Sequence, residues 1–151
     1  MRELRIYLDS STVVKRYVEE PGSNTVKQVY RRAYTGEVKL AFSLWNVGEI
    51  LGALDRARSK GRLSEEDYIE ARRRYFLETK KMMKLKLLAI VPLKAKILFE
   101  SWRIIEKYHI YQADALQIIT AKHISCSEFI TGDEKLHEIA LNEGLNSKYL
   151  G

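Results

Sequence analysis

Along this chain, short wholly apolar runs alternate with longer stretches in which apolar residues recur every three or four positions. The first pattern reads as buried strand, the second as amphipathic helix. Leu4–Leu8 is the first apolar run. Helical spacing follows over Thr12–Glu19 and is stopped by Pro21 and Gly22. Asn24–Tyr34 predicts a second helix, with Gly36 just past its end. Lys39–Leu44 predicts the second strand, and Trp45–Ser59 a helix with Val47, Ile50, Leu51 and Leu54 on one face. Gly61 breaks that helix. Ser64, with Asp67 three residues on, opens a long helix running to about Lys84. Leu87–Leu93 predicts strand three, and Lys94–Tyr108 and Ala113–His123 two more helices. Glu128–Thr131 predicts strand four, and Glu134–Glu143 a last helix closed by Gly144. The tail NSKYLG adds a short edge strand.

Short strands alternating with helices imply an α/β fold, a three-layer sandwich around a central, mostly parallel sheet of four to five strands. In open sheets of this kind, ligands sit beyond the carboxyl ends of the strands. An acid at the end of a strand therefore has two readings, helix cap or ligand.

Four acids meet or approach that condition. Asp9 follows strand one directly, Glu49 lies one helical turn beyond strand two, Asp114 stands at the start of a helix, and Asp133 lies two residues past strand four. Asp9, Asp114 and Asp133 each read equally well as caps or turn residues. Glu49, among Val47, Ile50 and Leu51, is harder to treat as ordinary surface, because a buried unpaired carboxylate is costly. Four carboxylates at one sheet edge repel one another unless a cation compensates them. Oxygen donors alone select hard ions, Mg²⁺ or Mn²⁺. No Cys/His spacing suggests zinc, and the three histidines read as structural or exposed.

The segments LDSSTVVKRY, WNVGEIL, QADALQIITA and FITGDEKL resemble, in order and approximate spacing, the four motif segments of PIN-domain ribonucleases. The subgroup most similar in length is the VapC-type toxin of prokaryotic toxin–antitoxin pairs. The resemblance runs from Leu4 to about Gly144. It implies a PIN-like fold and a metal-dependent endoribonuclease, with Asp9, Glu49, Asp114 and Asp133 as the acidic site. It also implies Ser10 and Thr131 as hydroxyl residues near an Mg²⁺ or Mn²⁺ ion, a homodimer, and a small protein antitoxin. An aspartyl-nucleophile phosphatase would carry a second Asp where Ser11 stands, and the acidic pair, central Asp and late Lys of a receiver domain do not fall into place. The non-enzymatic rival is an RNA- or protein-binding module on the same fold.

Length and composition fit this picture. A chain of 151 residues with 46% hydrophobic content is one globular domain, 1–151. The longest apolar run, LLAIV, ends at Pro92 and is far short of the about 20 residues a membrane span needs. The start of the chain lacks the apolar core of a signal peptide. Cys126 is the only cysteine, so no intrachain disulfide can form. These features predict a cytoplasmic protein with no membrane partner.

Charge adds one feature. The net charge is +6, and between Asp55 and Lys86 eleven Lys/Arg stand against six Asp/Glu, leaving the rest nearly neutral. Arg56, Arg58, Arg62, Arg73 and Lys80 are candidate contacts to an RNA backbone. Lys60, Arg72, Arg74, Lys81 and Lys84 extend the same basic stretch, and a merely solvated face is the competing reading. Within the long helix, Tyr68/Ile69, Tyr75/Phe76 and Met82/Met83 recur every seven residues. That stripe fits either the domain's own core or a helix–helix seam with a partner.

Overall fold

A computed structural model describes residues 3–151. Twelve elements follow in chain order: β1 (Arg5–Leu8), α1 (Ser10–Tyr17), α2 (Ser23–Tyr34), β2 (Lys39–Ser43), α3 (Trp45–Ser59), α4 (Glu65–Lys84), β3 (Leu88–Val91), α5 (Ala95–Tyr108), α6 (Gln112–His123), β4 (Glu128–Thr131), α7 (Glu134–Asn142) and β5 (Ser147–Tyr149). The five strands form one sheet in the order β3-β2-β1-β4-β5. Every pairing is parallel, including that of the tail strand β5, which sets Phe129 beside Ser147 and Thr131 beside Tyr149.

Two elements differ from the sequence pattern for physical reasons. The first helix starts at Ser10 because the Asp9 side chain caps it, and ends at Tyr17 because Val18 turns extended (φ −129°, ψ 128°). The third strand is four residues long and ends at Val91, since Pro92 has no N–H to continue the ladder.

Alternate side chains of each strand serve opposite faces. Ile6, Leu8, Leu40, Phe42 and Ile130 join the core beneath α1, α2, α3 and α4. Tyr7 and Phe129 join the other core, beneath α5, α6 and α7. These two are register partners, and their rings stack with centroids 5.5 Å apart. The result is a three-layer α/β/α sandwich. No helix among the described residues is long and apolar enough to cross a membrane.

Two carboxylates tie the helical layers together. Glu78 on α4 accepts both nitrogens of the Arg16 fork at 2.9 Å, the Tyr17 hydroxyl at 2.9 Å and the Tyr34 hydroxyl at 2.7 Å. Glu143 accepts from Arg103, Lys107, Tyr108 and Lys122, which joins α5 and α6 to the end of α7. Its side chain is only 4% exposed.

The seven-residue stripe on α4 splits between its two readings. Tyr75 and Met82 are buried in the domain's own core, whereas Ile69, Phe76 and Met83 are exposed. Adjacent helix positions lie about 100° apart, so one member of each pair turns inward and its neighbour outward. Of the outward members, Phe76 and Met83 border an apolar groove of about 400 Å³ that Val47, Tyr75 and Ile90 also line, with Lys80 and Lys84 at its edge.

Candidate active site

The chain first builds outward from β1 to β2 and β3, then returns to place β4 on the other side of β1. This reversal makes the carboxyl ends of β1 and β4 the crevice of the sheet. Asp9 stands at one lip, and the Thr131–Gly132–Asp133 turn at the other.

Asp9 is 4% exposed, and four donors surround it. Oδ1 accepts from the Ser11 hydroxyl at 2.8 Å, and from the Thr12 N–H and hydroxyl at 2.9 Å each. Oδ2 accepts from the Thr131 hydroxyl at 2.5 Å. Burial pushes its carboxyl pKa up, and these donors pull against that shift. Two of the hydroxyls also bind the opposite lip. Thr131 Oγ1 accepts from the Asp133 N–H at 3.0 Å, and Ser11 Oγ accepts from the Gly132 N–H at 2.9 Å. Gly132 eases this close approach, because a Cβ there would stand 2.8 Å from the end of the Lys15 side chain at Cε and 3.2 Å from Ser11 Oγ.

Glu49, on the second turn of α3, accepts the Ser10 hydroxyl on Oε1 at 2.8 Å. Its pKa is raised, first by burial and then by Asp9, while Ser10 and Arg56 oppose the shift. Asp114 sits in the first turn of α6, whose cap residue Tyr111 makes no side-chain cap bond, so Asp114 is not a cap. Its carboxyl is pushed up to about 6, first by burial and then by Asp133, Glu49 and Asp9, with Lys135 opposing. Asp133 is exposed and caps α7, its Oδ1 accepting from the Leu136 N–H at 3.1 Å. Asp114, Asp133 and Lys135 line one small cavity.

Asp133, Glu49 and Asp9 thus all raise the Asp114 carboxyl, and Asp9 raises that of Glu49. The four acids are not drawn into a tight sphere. Among the described residues, no group of three or more Asp, Glu, His or Cys side chains is gathered closely enough to hold a metal ion as it stands. The donor chemistry nonetheless suits a hard divalent cation, because the acids supply only oxygen. The mutual repulsion felt at Asp114 is the kind of field such a cation neutralises.

Several neighbours escaped the reading of the sequence. Ser11 and Thr12 complete the Asp9 cage. A buried chain of polar groups also reaches Glu49: the Tyr7 hydroxyl donates to Gln117 Oε1 at 2.5 Å, and Gln117 Nε2 donates to Asn46 Oδ1 at 2.6 Å. Gln117 Nε2 also lies 3.5 Å from Glu49 Oε1, and Asn46 Nδ2 donates to the Leu8 carbonyl at 3.1 Å. The available signal was helical spacing, since Asn46 lies three residues before Glu49 and Gln117 three after Asp114.

The basic candidates divide by their contacts. Arg58 pairs with Asp55 and Glu65 and covers the Tyr68 ring, while Arg73 pairs with Glu70. Arg62 is exposed. Lys80 borders the apolar groove. Arg56 folds back along α3 over Gly52, where a Cβ would stand 3.1 Å from Arg56 Nη1, and its charge acts on Glu49. The histidines make no bond to the four candidate acids among the described residues: His123 contacts Glu100, His137 contacts Ser147, and His109 ends α5 at φ 57°.

The family model described as PIN domain matches residues 6–142. Among solved structures, PAE2754 from Pyrobaculum aerophilum is 17% identical with a TM-score of 0.66, covering 95% of this chain and 83% of that one. VapC20 of Mycobacterium tuberculosis, a sarcin–ricin loop cleaving toxin, is 14% identical with a TM-score of 0.63, covering 93% of this chain and 95% of that one. FitAcB from Neisseria gonorrhoeae is 18% identical with a TM-score of 0.64, covering 96% and 97%. At these identities the likeness is one of fold. Among curated protein sequences, none matches this chain.

Proposed function

The chain belongs to the PIN domain family, and from that premise we propose that it is a divalent-metal-dependent endoribonuclease, the toxin of a toxin–antitoxin pair. The observation that carries the reading is Asp114, a carboxyl raised to about 6 by burial and by three other acids on three other elements. Perturbed acids of this kind concentrate at catalytic sites.

Asp9, Glu49, Asp114 and Asp133 would hold Mg²⁺ or Mn²⁺. Such an ion supplies charge neutralisation at a phosphodiester and makes water acidic enough to attack it. The chain's own groups position the rest. Ser10 holds Glu49, and Thr131 links Asp9 to the Asp133 turn. The positive ends of α1, α6 and α7 face the strand ends and favour negative charge there. Arg56, folded toward Glu49, would contact a backbone phosphate next to the site, with Arg62 and Lys80 extending the track along α3 and α4. Arg58 and Arg73 would reach RNA only by sharing their present carboxylate partners.

Protein partners belong to the same proposal. VapBC2 from Rickettsia felis and FitAB, similar in fold at 17% and 16% identity, are named as complexes bound to DNA. The exposed residues Ile69, Phe76 and Met83, with the groove that the last two border, support an antitoxin contact on α4. The exposed, edge-to-face pair Phe99 and Trp102 on α5 supports a homodimer contact on the opposite layer. A cytoplasmic location follows from an RNA substrate.

The test is cleavage of a mixed RNA ladder with Mg²⁺ or Mn²⁺, with EDTA, and with Asp114→Asn. Cleavage should require metal and vanish in the variant. Folded, metal-loaded protein that leaves every RNA intact would favour the binding-module reading.

A further inference from the structure

The polar chain behind Glu49 has a fixed direction. It starts at the Leu8 backbone carbonyl, which can only accept and cannot be flipped. The side-chain amide of Asn46 therefore turns its Nδ2 toward Leu8, at 3.1 Å. That leaves Asn46 Oδ1 as an acceptor facing Gln117, which must present Nε2, at 2.6 Å. Gln117 Oε1 then faces away and accepts the Tyr7 hydroxyl at 2.5 Å. The same Nε2 has a second hydrogen, and Glu49 Oε1 lies 3.5 Å off, at the outer limit of a bond.

All three relay residues are sealed from solvent: Tyr7 and Asn46 are 0% exposed and Gln117 is 2% exposed. Buried amides and hydroxyls of this kind are strongly disfavoured unless each partner is correctly oriented. The arrangement is thus fixed by the backbone of β1, immediately before Asp9. In this arrangement Glu49 Oε1 accepts the Ser10 hydroxyl at 2.8 Å, and Gln117 Nε2 stands 3.5 Å from the same oxygen. No hydrogen bond reaches Oε2 among the described residues.

We propose that Tyr7, Asn46 and Gln117 are positioning residues, which fix one oxygen of Glu49 through oriented donors and leave the other to ligate a divalent cation. None of the three touches the ion. The inference deepens the nuclease reading and rests on it. It also assigns a role to three buried polar residues that the acids alone do not explain. Outer-shell partners of metal ligands commonly contribute 10–100-fold to metal affinity or activity.

The experiment is calorimetric titration of Mn²⁺ into wild type, Gln117→Leu, Tyr7→Phe and Thr120→Val. Thr120 is the control, a buried hydroxyl on α6 with no hydrogen-bond partner among the described residues. Gln117→Leu should bind Mn²⁺ about 10–100-fold more weakly, and Thr120→Val as wild type. Tyr7→Phe removes a single oxygen and keeps the ring stacked on Phe129, so it folds if the core does. It should weaken Mn²⁺ in the same direction by a smaller factor. On RNA, the relay variants should lose kcat with KM unchanged. A folded Gln117→Leu or Tyr7→Phe protein with wild-type Mn²⁺ affinity would overturn the positioning role while leaving the nuclease reading intact. Wild type that binds no Mn²⁺ would overturn both.

Discussion

Asp114→Asn is expected to make the metal-free protein more stable while abolishing cleavage. Burial, then Asp133, Glu49 and Asp9, move this carboxyl from 3.8 to about 6. A raised carboxyl pKa means that the fold disfavours the ionised form. The penalty is absent below the unfolded value, grows as pH rises between the two values, and is complete above about 6. Two units at about 1.4 kcal/mol each bound it near 3 kcal/mol. The residue is partly exposed, so solvent screening reduces this to about 2 kcal/mol. Asparagine also forfeits the attraction between a carboxylate and the start of α6, about 0.5 kcal/mol in the other direction. The net gain is about 1.5 kcal/mol, a rise in Tm of about 3–6 °C for a chain of this size. The assay is thermal and urea denaturation in EDTA at pH 8 and pH 4. The gain should be present at pH 8 and largely gone at pH 4. A variant no more stable than wild type at pH 8, or a difference that ignores pH, would refute the claim that the four acids share one crevice field.

Three further outcomes are expected. Burial alone would raise the Glu78 pKa, but Arg16, Tyr34 and Tyr17 lower it to about 2; Glu78→Gln should therefore lose about 2–3 kcal/mol at pH 7 by urea titration. That gap should close as pH falls from 4.5 toward 2, because the wild-type advantage exists only while Glu78 stays ionised in the fold. Gly132→Ala should destabilise by about 1 kcal/mol and reduce cleavage, because its Cβ, 3.2 Å from Ser11 Oγ, presses on the hydroxyl that donates to Asp9; unchanged Tm and activity would count against that cage. Arg56→Ala should lower the slope of log affinity against log salt for RNA by about one, read by anisotropy with Asp114→Asn to prevent cleavage. An unchanged slope would remove Arg56 from the RNA track.

Much of this was legible in the sequence because punctuation and chemistry coincide. Ser64, Gly36, Gly61 and Gly144 mark helix ends whose positions the fold keeps, and an acid after a buried strand is conspicuous. What was not legible depends on distance along the chain. The Tyr7–Gln117 bond joins residues 110 positions apart, and Thr131–Asp9 joins residues 122 apart. No local pattern encodes either. The α4 stripe shows a subtler limit. A seven-residue repeat fixes the pairs Tyr75/Phe76 and Met82/Met83 but not which member faces inward. Only the positions of α1 and α3 decide that Tyr75 and Met82 are the buried ones.

Cap and ligand, the two readings open at Asp9, are compatible because a carboxylate has two oxygens. Asp9 gives Oδ1 to the start of α1 and, among the described residues, receives only Thr131 on Oδ2. Asp133 gives Oδ1 to the start of α7. Glu49 gives Oε1 to Ser10. In each case one oxygen is anchored by bonds that the fold supplies whatever the other oxygen does. Anchoring of this kind explains how three acids can face a common crevice without escaping into solvent. Asp114 is the exception: no side-chain cap bond opens its helix, and its pKa is the one lifted to about 6. The fold has tied down three carboxylates and set the fourth against them. The repulsion of Asp133, Glu49 and Asp9 falls on Asp114, where a cation would relieve it and where a neutral side chain should do the same without chemistry.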